Sequence, residues 1–82
     1  MEKVKPFTVA CIPAFEEEAG IAKVVLCARK YVDKVIVCDD GSLDMTAEIA
    51  RELGATVVQH KRNCGKGQAM KTLFDEAVKL NP

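Results

Sequence analysis

Val35-Ile36-Val37-Cys38-Asp39-Asp40-Gly41-Ser42-Leu43-Asp44 joins an unbroken apolar run to a polar turn, and its reading decides the fold. Val35 to Cys38 is short, β-branched and continuous rather than alternating, the pattern of a strand buried on both faces as parallel strands are. Gly41 and Ser42 break the run. Asp44 or Ser42 can cap a helix through Leu53, with Ala47, Ile49, Ala50 and Leu53 facing inward. Gly54 stands where a helix C-terminal glycine commonly does.

The same alternation extends in both directions. Upstream, Phe7 to Ile12 is a short apolar run ended by Pro13, which cannot donate to a central ladder. Glu17 to Tyr31 carries Ile21, Val24, Val25, Ala28 and Tyr31 at helical spacing, with Glu16 to Glu18 at its start, where the helix dipole favours negative charge. Downstream, Ala55 to Gln59 is a third strand. The polar turn from His60 to Gly65 leads to a helix from Lys66 to Leu80, striped with Ala69, Met70, Leu73, Phe74, Ala77 and Val78. The order β-α-β-α-β-α predicts an α/β fold: a parallel sheet with right-handed crossovers and strand order 3-2-1. The first two helices are expected on one face, and the third makes a third layer on the other only if the chain crosses the sheet on its way to a further strand, which these 82 residues do not include. Residues 1–82 form one domain on this reading, since the length leaves room for no second core.

Composition removes several functions. Twelve basic and twelve acidic residues cancel, so a general nucleic-acid or anionic-membrane surface, which needs a basic excess, is not expected. No apolar run approaches the roughly 18 residues of a membrane span, and the N-terminus lacks the pattern of a signal peptide. The expected location is cytoplasmic. Cys11, Cys27, Cys38 and Cys64 include no CxxC pair, and the expectation is reduced, mostly buried thiols. His60 and Cys64 share a spacing compatible with a metal, but two candidates fall short of a closed zinc site.

In an open parallel sheet, ligands bind beyond the carboxyl ends of the strands. Three polar clusters fall there: Pro13-Ala14-Phe15-Glu16-Glu17-Glu18, Asp39-Asp40-Gly41-Ser42 and Asn63-Cys64-Gly65-Lys66-Gly67. Each has two readings. Asp39 and Asp40 can accept hydrogen bonds from a base or ribose, or serve as ordinary turn residues. Lys66 between two glycines before a helix can attract an anion, or be a solvated lysine; the P-loop spacing is absent. Phe15 can present a ring for a base to stack on, or staple the first helix.

Together the three segments resemble the motifs of family 2 glycosyltransferases. Val9 to Glu18 is similar to their opening strand and IPAYNEE-type motif, Val35 to Asp44 to VDDGSTD, and Asn63 to Ala69 to NxGKGxA, the last especially in the polyprenyl-phosphate (dolichyl-phosphate) sugar synthase-like branch. The resemblance spans nearly the whole chain. It implies the Rossmann-like half of a GT-A fold, binding of a UDP- or GDP-linked sugar, and transfer of the sugar to an acceptor hydroxyl or lipid phosphate. It also implies that Pro13, Phe15 and Glu17 line the nucleotide pocket, Asp40 contacts the base, Asp39 supports it, and Lys66 lies near the base or diphosphate. Glu16 departs from the family, which usually has asparagine there, and Leu43 and Met45 differ from commoner residues. A divalent metal, Mg or Mn, is implied for the full-length enzyme, with its DxD-type motif after the next strand and a catalytic base further on. Neither lies in these 82 residues, so no catalytic or metal-binding residue is assigned. The expectation is a catalytically incomplete nucleotide-binding portion.

Two other classes compete. A structural or assembly module would keep the fold without the ligand, forming a homo-oligomer through the exposed first-strand edge or by exchange of the last helix. A phosphoacceptor receiver is suggested only by the paired aspartates, which follow the second strand here rather than the first.

Overall fold

The computed structural model describes residues 6–80. Its elements run β1 (Val9–Ala14), α1 (Ile21–Arg29), β2 (Lys34–Asp39), α2 (Thr46–Glu52), β3 (Thr56–Gln59) and α3 (Lys66–Lys79). The strands form one sheet in the order β1-β2-β3, the predicted 3-2-1 taken from the other edge. Both pairings are parallel, with Ala14 opposite Asp39 and Asp39 opposite Gln59.

β2 is apolar without alternation because both its faces are covered. Val35 and Val37 pack with Ile21 and Val25 of α1 and Ala50 of α2. Ile36 and Cys38 pack on the opposite face with Ala69 and Leu73 of α3. The three layers expected from the sequence are therefore present. Among the described residues, no helix is long and apolar enough to cross a membrane.

Boundaries shift at every element, β1 starting at Val9 rather than Phe7 and α1 ending at Arg29 rather than Tyr31, and three of the shifts have a cause in the neighbouring structure. β1 does not stop before Pro13 but runs through it, pairing Pro13 with Cys38. The Asp40 N–H donates to the Ala14 carbonyl at 2.8 Å, so the backbone of Ala14 faces β2 and that of its neighbour Pro13 turns outward. An outer strand tolerates proline there, since no ladder bond is lost. α1 begins at Ile21 rather than Glu17, with no acid in its first turn. Glu16 to Glu18 belong to the preceding loop and are held by another loop. α2 begins at Thr46, and Asp44 rather than Ser42 serves its start, accepting the Thr46 N–H at 3.0 Å.

Gly54 does end α2. It adopts φ +95°, its N–H reaches the Arg51 carbonyl, and the Ala55 N–H reaches that of Ala50, both at 3.1 Å. That pair of bonds is a Schellman closure, which needs a left-handed residue. The stripe on α3 is wider than the surface that covers it. Ala69 and Leu73 are buried, whereas Met70, Phe74 and Val78 are exposed, Phe74 by 68%. β1 is the outer strand on that side, so the row of α3 nearest its edge has no strand beneath it. The cysteines are all free, but only Cys38 is buried and Cys11 half-buried; Cys27 and Cys64 are exposed, against the expectation of mostly buried thiols.

Candidate functional site

The loops after β1, β2 and β3 meet at the carboxyl edge of the sheet and divide into two halves. In one half the first two loops clasp each other. The Glu16 N–H donates to Ser42 Oγ (2.7 Å), the Glu17 N–H to Thr46 Oγ1 (2.9 Å) and the Glu18 N–H to Asp44 Oδ2 (3.3 Å). In return the Leu43 N–H reaches Glu16 Oε2 (3.4 Å) and the Met45 N–H reaches Glu18 Oε1 (2.9 Å). Thr46 Oγ1 also donates to Asp44. Backbone donors of each loop are thus satisfied by side chains of the other, as exposed loop N–H groups must be somehow.

Asp39 belongs beneath this clasp. It is fully buried; Oδ1 accepts the Ser42 N–H (3.3 Å) and hydroxyl, and Oδ2 accepts Gln59 Nε2 (3.3 Å). It holds the turn after β2 and does not reach the cleft. Asp40 forms the other half with the loop after β3. Its Oδ1 accepts His60 Nδ1 (2.8 Å) and the Cys64 N–H (2.9 Å), and its Oδ2 accepts the Gly65 N–H (3.0 Å). The Cys64 N–H foremost, then His60, outweighs the effect of burial, and with Gly65 holds the Asp40 carboxyl below the usual carboxylate range. Asp40 is therefore an anion at neutral pH.

Gly41 lets the two loops touch. It adopts φ +83°, and a Cβ there would lie 2.4 Å from the Arg62 carbonyl carbon and 2.5 Å from the Asn63 nitrogen. Both obstacles are backbone, so only glycine fits. The requirement is close approach as well as turn geometry.

Between Asp40 and the β1 loop lies a cleft of about 370 Å³, within the range of small-ligand sites. Pro13, Phe15, Glu17, Asp40 and Lys66 line it, together with Asn63 and Gly65. Five of the six residues singled out by the sequence are thus brought to one cleft, and Asp39 lies outside it. Phe15 is 43% exposed and belongs to neither apolar cluster, so it does not staple α1. Lys66 opens α3, whose N-terminus has no side-chain cap and no acid in its first turn. First-turn N–H groups lack intrahelical partners, and an uncapped start favours anions.

Sequence reasoning placed His60 in a turn, weighed it only with Cys64 as an incomplete metal pair, and did not connect it to Asp40. Its Nδ1 meets Asp40, and its Nε2 lies 2.9 Å from Thr72 Oγ1 and 3.6 Å from Cys38 Sγ. The available signal was its place as the first residue after β3, the register neighbour of the strand end that carries Asp40. Burial first, then Asp40 and Asp39, pushes the Cys38 thiol up to about 11, so it stays protonated.

A hard divalent cation finds a poor fit among these residues. Magnesium demands several unencumbered oxygen ligands in near-octahedral array. The oxygens of Asp39 and Asp40 already accept N–H or O–H donors, which leaves Glu17 as the exposed carboxylate on the cleft.

Comparison with known proteins identifies the family. The sequence profile of Glycosyl transferase family 2 matches residues 9–79, which include all three strand-end loops. An uncharacterised protein of Methanocaldococcus jannaschii, MJ1222, is 42% identical over 72 residues, covering 87% of this chain and 30% of that protein. An uncharacterised glycosyltransferase of Rickettsia felis is 40% identical over 58 residues, 71% of this chain and 19% of that one. Protein RfbJ of Shigella flexneri is 33% identical over 73 residues, 85% of this chain and 56% of that one. The chain thus spans about a third or less of the first two of these relatives. No solved structure gives a significant match. With the profile running from the first strand to the end of the last helix, the chain belongs to glycosyl transferase family 2.

Proposed function

We propose that the cleft binds the nucleotide part of a nucleoside-diphosphate sugar and serves as the donor-binding portion of an enzyme that transfers the sugar to an acceptor. One observation carries this reading: the hydrogen-bonding capacity left on Asp40. A carboxylate has about four lone-pair sites. Two on Oδ1 and one on Oδ2 are occupied, which leaves one acceptor position on Oδ2 at the edge of the cleft.

A single acceptor suits a single ring N–H. The imide N–H of uracil offers one donor between two carbonyls. The guanine edge offers an N–H beside an amino group and needs both carboxylate oxygens to satisfy it. The arrangement therefore favours UDP over GDP. The Phe15 ring supports stacking of the base, a contact worth roughly 1–3 kcal/mol in nucleic-acid systems. Lys66 and the uncapped start of α3 support placement of phosphates. These residues bind and orient the donor.

NMR titration with UDP, GDP and their sugars tests the proposal. The expected result is shifts at Phe15, Asp40 and Lys66 with a Kd near millimolar, about 4 kcal/mol of binding free energy, and tighter for UDP. Absence of shifts at millimolar ligand removes the binding claim. Equal affinity for GDP removes the single-donor argument.

A second reading draws on the middle of α3. Met70, Phe74, Val9 and Cys11 line an apolar groove along the outer edge of β1. As an assembly module, a second copy of the chain would cover that groove by edge pairing or exchange of α3. A monomer at high concentration in sedimentation would dismiss it.

A further inference from the structure

The cluster around Asp40 has a property that nucleotide binding does not use. One donor atom each from Asp40, His60 and Cys64 lies within 4.8 Å of the others. The three come from different places in the chain: the residue after β2, the residue after β3, and the loop before α3. We propose that Asp40, His60 and Cys64 form a three-donor site for a thiophilic divalent cation such as zinc.

The donor set suits that class of ion. An imidazole nitrogen, a thiolate and a carboxylate oxygen are the ligand types zinc takes, and three protein ligands leave a fourth position for water. The thiolate and carboxylate together balance the charge of a divalent ion. With bonds of about 2.0–2.3 Å, tetrahedral ligand atoms sit roughly 3.3–3.8 Å apart. Asp40 Oδ1 and His60 Nδ1, now 2.8 Å apart, need to open by about half an ångström on that geometry. Cys64 is exposed, so its side chain is not locked by packing.

The protons have places to go. His60 ligates through Nδ1 when its ring proton sits on Nε2, and Nε2 then donates to Thr72 Oγ1 at 2.9 Å. A ligating histidine generally donates its other ring N–H in this way, which fixes tautomer and ring orientation. The thiol proton of Cys64 leaves to water. Cys64 and Gly65 N–H groups continue to donate to Asp40 and orient it. Cys38 lies on the Nε2 side of the ring, across from the three donors.

Asp40 also lines the cleft, so metal and nucleotide would compete for it. That consequence rests on the proposed nucleotide site; the metal site does not.

Titration of the reduced chain with Co(II), without nucleotide, tests the site. The expected result is one-to-one binding with a near-ultraviolet thiolate-to-cobalt charge-transfer band and intense visible bands of tetrahedral cobalt, all abolished by Zn(II). Cys64→Ser should remove the charge-transfer band, and Thr72→Val should weaken binding roughly 10–100-fold. Cys27→Ser, at the other exposed cysteine, should change nothing. A weak octahedral spectrum, or a charge-transfer band that survives Cys64→Ser, overturns the proposal. A cobalt spectrum as expected in a chain that ignores UDP would count against the nucleotide reading alone.

Discussion

The two halves of the strand-end rim are built from the same residue types and use them differently. In the clasp of residues 16–18 against residues 42–46, carboxylates and hydroxyls accept backbone N–H groups from the facing loop. Around Asp40 a carboxylate is fixed just as firmly, yet keeps one acceptor position on an open cleft. Acid density therefore does not locate the site. On the proposed nucleotide reading, residual hydrogen-bonding capacity on a rigidly held group does, because such a group is oriented before the ligand arrives and little ordering remains to be done on binding.

The strongest test of this division is Asp40→Ala. Three donors would lose a charged acceptor, each such bond contributing about 1.5–3 kcal/mol, so a stability loss of at least ~3 kcal/mol is expected in urea unfolding. UDP-induced shifts should vanish as well. The pH dependence has a definite sign. Folding lowers the Asp40 pKa, chiefly through the Cys64 N–H. Its stabilisation is thus present above the unfolded value of about 3.9 and lost as pH falls through the folded value. The gap between wild type and Asp40→Ala should be constant near neutrality and shrink below about pH 3.9. Asp44, lowered first by the Thr46 hydroxyl, loses its contribution in the same direction. A gap that widens in acid would show that Asp40 is not held as an anion.

Thr46→Val probes the other half with a smaller effect. Thr46 is fully buried and supplies the acceptor for the Glu17 N–H. Valine keeps the shape but leaves that donor unpaired, at a cost of about 1–3 kcal/mol. UDP affinity of the folded protein should stay within about threefold, or under 1 kcal/mol. A tenfold loss of affinity would mean that the clasp and the cleft act as one unit.

The fold was legible because β2 has one interpretation: Val35 to Cys38 alternate between two apolar clusters, and only a strand covered on both faces needs that. Gly54 was legible for a similar reason, since its place after the helix demanded a left-handed residue. Boundaries set by tertiary context were not. Pro13 reads as a strand stop until the strand is known to be outermost. The acids at 16–18 read as a helix start until the facing loop claims their N–H groups. At the site, strand-end position pointed to Phe15, to Asp39 and Asp40 without separating them, and to Lys66; all but Asp39 share the cleft. It gave no sign that His60 would reach both Asp40 and Thr72, because a contact between residues on β2, β3 and α3 exists only in the folded chain.

Glu16→Asn is the gentlest test, and it acts on the clasp chiefly through the backbone. Glu16 has φ +50°, the only described non-glycine residue with positive φ. A left-handed conformation costs an ordinary residue roughly 1–2 kcal/mol, and asparagine adopts it more readily. The substitution gives up the long bond from the Leu43 N–H at 3.4 Å, which returns part of the gain. The Glu16 N–H still meets Ser42 Oγ, since that bond uses the backbone. A net stabilisation of about 0.5–1 kcal/mol is expected from the relief of backbone strain. Thermal unfolding would measure it. UDP affinity is expected to be unchanged, because Glu16 lies on the clasp and outside the lining of the cleft. If Glu16→Asn instead destabilises the chain, the carboxylate contributes more to the Leu43 turn than its bond length implies, and the clasp depends on charge as well as on backbone geometry.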